Sequence, residues 1–269
     1  MNYPKKRSKI RLYLGNYLHG LRKRLVWVLS TKKIAKQEFV DKSSYVIFEH
    51  RTPLRRPLNG DGASLQDNKI NNLTLAVHKI NNCLVKPGKI FSYWRLIGNP
   101  TKRKGYKEGM VLKQGRVDKG TGGGLCQLSN LIYWMTLHTP LTITERWRHG
   151  YDVFPDVNRS QPFGSGATCY YPQLDLCIEN NTKQNFQLIL EITDTELIGR
   201  WVSDQEIPYR YKIEEREPKI THESWGGYVR QNYLVKMIFD QITGDFLSEE
   251  VVAENKAIMM YKPFLEPGV

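Results

Sequence analysis

Gly122, Gly123, Gly124, Leu125, Cys126 and Gln127 stand directly before a stretch with helical periodicity. A helix start offers unpaired N–H groups and the positive end of the backbone dipole, and both favour an anion placed there. A thiolate is such an anion, and a cysteine thiol that titrates near pH ~8.5 when free is lowered at helix N-termini or beside an imidazolium. The glycines, lacking side chains, let backbone amides approach a substrate and donate to a developing oxyanion. Phosphate binding by the same glycines would need the Lys-Ser or Lys-Thr of a P-loop, which is absent. The plain alternative is that Cys126 packs as a small buried hydrophobe.

A thiol nucleophile needs a base. Thr142, Ile143, Thr144, Glu145, Arg146, Trp147, Arg148 and His149 alternate like a half-buried strand, with Ile143, Glu145, Trp147 and His149 on one face. A helix returning into that strand would bring His149 across from Cys126 as a thiol–imidazole pair. The competing reading is a histidine satisfied at a strand end. Arg146 and Arg148 either meet a carboxylate or point to solvent, and Gln127 either donates to the oxyanion or lies on the helix surface.

The elements that position these residues follow from periodicity. Leu125, Leu128, Ile132 and Met135 mark a helix from about 125 to 138, with Cys126, Asn130 and Tyr133 on another face that can line a cleft. Ile70, Leu73, Val77 and Ile80 mark a second helix over about 65–82. Between about Tyr45 and Asn59, Arg51, Pro53, Arg55, Arg56 and Pro57 read as a basic, proline-broken connector. Pro87-Gly88 predicts a turn before a short strand. Beyond Thr142 the pattern is mostly β, over 175–179, 186–192, 196–202, 209–214, 228–239 and 257–261. The expected class is α+β, a mostly antiparallel β body with two main helices and the cysteine at a helix N-terminus. Three parts are expected: a basic amphipathic segment over 1–40, a domain over 41–202, and a β-rich extension over 203–269 packed on it.

The chain of 269 residues carries a net charge of +13. Lys5, Lys6, Arg7, Lys9, Arg11, Arg22, Lys23, Arg24, Lys32, Lys33 and Lys36 all precede the first acid, Glu38, so the basicity belongs to the N-terminus. Interleaved Leu, Tyr, Val and Trp suit an amphipathic helix on an anionic membrane surface over residues 5–36, or equally a helix packed on its own domain. No nucleic-acid motif accompanies the charge, so nucleic acid is not an expected partner. The longest apolar run, Leu25 to Leu29, is too short for a transmembrane span or a signal-peptide core. A cytoplasmic or inner-face membrane location is expected. Cys83, Cys126, Cys169 and Cys177 permit two disulfides without demanding any, and Cys169 and Cys177 could face each other across a hairpin turning at Pro172. No CxxC or HxxxH spacing marks a zinc site, and no cofactor is expected.

From Asn71 to Thr182 the chain resembles the VanW family, bacterial proteins named from a glycopeptide-resistance gene cluster. The resemblance rests on Asn72 and its helix, Pro87-Gly88-Lys89-Ile90-Phe91-Ser92, Gly98-Asn99-Pro100-Thr101, Gly105-Tyr106, Gly122 to Ser129, Glu145-Arg146 with His149, Gly166-Ala167-Thr168, Asp175-Leu176 and Asn180-Asn181-Thr182. It implies L,D-transpeptidation of peptidoglycan, with Cys126 as nucleophile and His149 as base. Gly123, Gly124, Gln127, Ser129 and Arg146 are then substrate-binding candidates, and the implied partner is peptidoglycan or its precursor. One residue departs from the pattern: Gly166 stands where many relatives carry an aspartate. If that aspartate orients the histidine, Asp152 and Asp175 are the nearest substitutes; otherwise the cleft is a binding site. A cysteine amidase or peptidase on stem peptides would use the same residues.

Overall fold

A computed structural model describes residues 8–30, 33–38, 45–55, 62–113, 115–153 and 161–263. In chain order its elements are α1 (Lys9–Leu29), β1 (Lys36–Gln37), β2 (Tyr45–Pro53), α2 (Gly62–Ile80), β3 (Cys83–Val85), β4 (Ile90–Ser92), α3 (Tyr93–Ile97), β5 (Glu108–Lys113), β6 (Arg116–Thr121), α4 (Cys126–Leu137), β7 (Thr142–Glu145), β8 (Tyr151–Asp152), β9 (Cys177–Glu179), β10 (Phe186–Ile192), β11 (Glu196–Ser203), β12 (Tyr209–His222), β13 (Tyr228–Asp240) and β14 (Phe246–Met259).

The two helices expected from apolar spacing form where the spacing puts them. α2 buries Leu73, Ala76, Val77 and Ile80, and α4 buries Leu128, Leu131, Ile132 and Met135. Such a stripe at a period of 3.6 gives each helix one face to lay on a sheet. The sheet that receives them is five-stranded and antiparallel, in the order β1-β3-β10-β11-β2. Gly199 in β11 lets α4 come close: a Cβ there would sit 2.6 Å from Met135 Cε and 3.1 Å from Leu131 Cδ2. The Trp201 indole then donates to Thr136 Oγ1 at 3.1 Å inside the contact. A three-stranded sheet, β4-β9-β7, and the β5–β6 hairpin flank this core. β12, β13 and β14 form a long meander, joined at its edge by β8, which runs parallel to β14. The architecture is α+β and mostly antiparallel, with four helices among the described residues.

Three expectations change. Residues 45–53, read as a connector, form strand β2. Among the described residues it is an edge strand paired to β11 alone, and it carries its proline at the last position, where a missing N–H costs no ladder bond; residues 56–59 of that connector lie outside the described residues. The strand expected over 142–149 stops at Glu145, because the Arg146 guanidinium turns inward to bond the carbonyls of Gly164 and Gly166. The strand expected over 257–261 begins much earlier, at Phe246, since the charged segment before Ala257 is carried by pairing with β13 rather than by an apolar face. The four cysteines are free.

α1 packs on its own domain through a narrow stripe. Gly20 lies against Pro172 and Gln173, Gln173 donates to the Asn16 carbonyl at 2.8 Å, Lys23 pairs with Glu145, and Trp27 meets Tyr171 at 6.1 Å between ring centroids. Among the described residues no helix is long and apolar enough to cross a membrane.

At the far end of α4, His138 is stacked on Phe48 at 3.9 Å and hydrogen-bonded through Nδ1 to the Trp134 carbonyl at 3.0 Å. Burial lowers its pKa from 6.5 to about 4. Because the folded pKa lies below the unfolded one, the neutral ring stabilises the fold fully above pH ~6.5, and that contribution is lost as pH falls toward the folded value. The loss is on the order of 3 kcal/mol. Thermal unfolding followed between pH 7 and pH 4 should therefore show a falling midpoint, and His138→Phe, which cannot titrate, should flatten that dependence.

Candidate functional site

The loop before Cys126 is held by backbone packed on backbone. A Cβ on Gly123 would lie 2.1 Å from the Gly109 carbonyl carbon, and one on Gly109 would lie 2.6 Å from the Gly123 oxygen. Only glycine at both positions allows β5 and the loop to touch. The fully buried Asn72 of α2 fastens the contact, donating to Gly123 O at 2.9 Å and Lys107 O at 3.0 Å while accepting from Lys107 N at 2.8 Å. Gly124, at φ +91°, turns the chain into α4. Leu125 caps the helix without a side-chain bond, and Cys126 is its first residue.

These bonds decide which amides face outward. Gly122, Gly123 and Gly124 donate to Lys107, Gly120 and Met110 at 3.0 Å each, and Gln127 and Leu128 donate to Gly124 and Leu125 at 3.0 and 3.1 Å. Among the described residues, no backbone carbonyl accepts from the N–H groups of Leu125 and Cys126, and the Cys126 N–H faces its own sulfur. The glycine amides, expected to donate to an oxyanion, are thus used within the fold, and the two that follow them remain. The Gln127 amide is turned away, donating to Thr52 Oγ1 and Pro53 O at 3.0 Å each, and so ties α4 to β2.

Cys126 is half-buried. Its thiol lies 4.0 Å from the Cys169 carbonyl oxygen, and burial raises its pKa above the usual thiol value. Tyr93, wholly buried, donates to Leu125 O at 2.9 Å directly behind it. Ser129, one turn on, is fully buried and donates to Ala167 O at 2.7 Å. Asn130 accepts from Ala167 N at 2.8 Å. The segment 167–169 is therefore strapped along α4 by two side chains, and Cys169 O is delivered to the thiol.

Arg146 holds the other side of that segment. It donates to Gly164 O at 2.5 Å and Gly166 O at 2.8 Å, reaches Asn255 Oδ1 at 3.3 Å, and lies 4.8 Å from the Tyr133 ring centroid. Tyr133 is buried, and its hydroxyl has no hydrogen-bond partner among the described residues. Gly166 itself is constrained: a Cβ there would sit 2.7 Å from Asn130 Oδ1. The place an aspartate would need is filled by the asparagine that straps Ala167.

The remaining candidates have other surroundings. His149 lies past the end of β7, neutralised by burial and by Arg148, which lower its pKa; no hydrogen bond joins it to Cys126. Asp152, in β8, accepts from the Tyr261 hydroxyl at 2.9 Å and lies 3.9 Å from Arg230. Asp175 is fully buried and accepts from Ser92 Oγ at 2.6 Å, Trp94 N at 2.9 Å and Leu176 N at 2.9 Å, which holds the start of α3. Burial pushes its carboxyl up. Cys177 lies 3.5 Å from Asp175 Oδ2 and 3.7 Å from Glu145 Oε2, and burial next to those carboxylates drives its pKa far up. No group of three or more His, Cys, Asp or Glu among the described residues is placed to hold a metal ion.

Sequence reasoning missed Gly109, Tyr93 and the Cys169 carbonyl, since nothing in their spacing marks a backbone contact or a buried phenol. Gly123→Ala should cost at least ~2 kcal/mol, because neither backbone can withdraw. Chemical denaturation would measure this, with Gly150→Ala, where a Cβ meets nothing within 4 Å, as the control expected to stay near wild type.

A family model described as VanW like protein matches residues 68–202. The chain is 34% identical over 217 residues to the vancomycin B-type resistance protein VanW of Enterococcus faecalis, covering 81% of this chain and 78% of that one. It is 31% identical over 121 residues to the uncharacterized protein YoaR of Bacillus subtilis, covering 45% of this chain and 38% of that one. No solved structure matches the chain. The matched segment holds the Gly109–Gly123 contact, Asn72, Cys126 and the strap at 167–169, and with the relation spanning most of both chains, this protein belongs to the VanW family.

Proposed function

We propose that this protein is a cysteine-dependent acyl transferase acting on peptidoglycan stem peptides or their precursors, of the L,D-transpeptidase type, with an accessory role in glycopeptide resistance. The observation that carries the reading is a buried thiol on the first residue of α4, beside the N–H groups of Leu125 and Cys126, from which no backbone carbonyl among the described residues accepts. Two convergent amides at a helix N-terminus are what a tetrahedral oxyanion requires. In the proposed cycle Cys126 Sγ bonds to the peptide carbonyl carbon and the oxyanion meets the two amides. His149, neutral and thus able to act as a base, takes the thiol proton and returns it to the leaving amine as the C–N bond breaks. The thioester is then attacked by an acceptor amine, which forms the new amide and releases the thiol; attack by water gives the amidase outcome instead. The resistance role rests on the name of the Enterococcus faecalis relative.

A second reading, a cleft that binds stem peptide without chemistry, is favoured by one observation: burial keeps the Cys126 thiol protonated, and no hydrogen bond links it to an imidazole.

The two are separated by incubating the full chain with an activated ester of a stem tetrapeptide and measuring mass. The acyl transferase should gain one acyl group on Cys126 at pH 7, Cys126→Ala should gain none, and His149→Ala should react only at alkaline pH. Equal adduct formation by wild type and both variants sinks the enzyme reading; stem-peptide binding by wild type and Cys126→Ala alike, with no adduct in either, establishes the second.

A further inference from the structure

α1 is packed with its polarity reversed. Asn16, Gly20, Lys23 and Trp27, spaced four, three and four apart, form the stripe that meets the domain. Leu14, Leu18, Leu21 and Leu25 carry the same spacing on the opposite side, roughly 160° around the helix. They are 53%, 63%, 39% and 60% exposed, and Ile10 and Val28 extend the row at 74% and 81%. A soluble domain lays its apolar stripe inward; here the small and polar stripe is inward and the leucines face solvent. An apolar surface of this length on a 21-residue helix marks a docking face.

Charge identifies the occupant. α1 contains no acidic residue. Arg11 and Arg22 border one edge of the leucine row and Arg24 the other, all three exposed. Among the described residues the helix's one ion pair is Lys23 with Glu145, on the inward side. An apolar ridge flanked by guanidiniums matches the boundary of a bilayer, where acyl chains lie beneath anionic headgroups. The helix is not apolar enough to cross.

We propose that α1 is an interfacial anchor, lying in the plane of an anionic bilayer with Leu14, Leu18, Leu21 and Leu25 in the acyl boundary. The domain then hangs from the inward stripe, through the Tyr171–Gln173 turn and Glu145. Because that turn begins two residues after Cys169, an anchored α1 keeps the face of the molecule that carries Cys126 close to the membrane.

The test is sedimentation of the full chain with vesicles of phosphatidylglycerol and phosphatidylcholine, compared with phosphatidylcholine alone. Wild type should pellet with the mixed vesicles and lose binding as salt is raised. The Leu18→Asp/Leu25→Asp variant should bind at least ~10-fold more weakly, and Arg22→Glu/Arg24→Glu should lose the preference for anionic vesicles. All four side chains are exposed, so circular dichroism and melting should match wild type for both variants. Undiminished binding by the leucine variant overturns the proposal. So does equal binding of wild type to the two vesicle types, or a wild-type dimer that the leucine variant converts to monomer without any vesicle binding.

Discussion

The contact on which the site depends is the one between two backbones, Gly109 in β5 and Gly123 in the loop before α4, with the Asn72 side chain bonded across it. It joins three elements that are far apart in sequence: α2 supplies the asparagine, β5–β6 the wall, and α4 the helix whose first residue is Cys126. Because the loop's own amides are consumed by Lys107, Gly120 and Met110, its path is fixed before any ligand arrives. Of the amides from Gly122 to Cys126, the first three donate to carbonyls of the fold and the last two to none among the described residues; preorganisation of that kind is what makes backbone donors effective. The same economy of space operates at Gly199, where a missing Cβ lets α4 settle on β11, and at Gly166, where it makes room for Asn130. Close approach at these three places settles α4 on β11 and fixes the backbone around Cys126.

How much of this could be read from the chain follows from what each element owes to its neighbours. α2 and α4 were legible because their apolar residues recur at 3.6 and their burial needs no other information. β10, β11 and β13 were legible as runs rich in β-forming residues between polar turns, although their burial does not alternate strictly. β2 was not, since its Arg51 and Pro53 are allowed by an edge position that no local pattern announces. The end of β7 at Glu145 was hidden too: Arg146 leaves the strand to satisfy the carbonyls of a glycine turn that comes 18 and 20 residues later. Cys126 was found because glycines before a helix are a local signal. Cys169 contributes a carbonyl, which every residue has, so its type and spacing could not reveal it.

The N-terminal segment makes the complementary point. Its composition admitted both a membrane-facing helix and one packed on the domain, and the packed stripe of Asn16, Gly20, Lys23 and Trp27 uses the residues that composition counts least. Spacing alone separates the two stripes, four-three-four on each side, but not which one faces inward. Gly20 and the Asn16 carbonyl decide it: a Cβ on Gly20 would sit 3.5 Å from Pro172 and Gln173, and Gln173 donates to Asn16 O at 2.8 Å.

The electrostatics of Cys126 turn on two opposing effects. A helix N-terminus favours a thiolate by roughly 0.3–1 kcal/mol at the surface and up to ~2 kcal/mol when partly buried, which is at most about 1.5 pKa units. Desolvation of a buried group works the other way and can reach ~3–5 units. Burial wins here, as the raised thiol pKa and the nearby Cys169 carbonyl both indicate. Helix position is therefore insufficient to activate this cysteine by itself. A reactive Cys126 requires a base to remove its proton during attack, and His149, held neutral by burial and Arg148, has the right protonation state for that step. On the proposed acyl-transfer reading, the dipole's contribution falls on the oxyanion formed beside the Leu125 and Cys126 amides rather than on the thiolate.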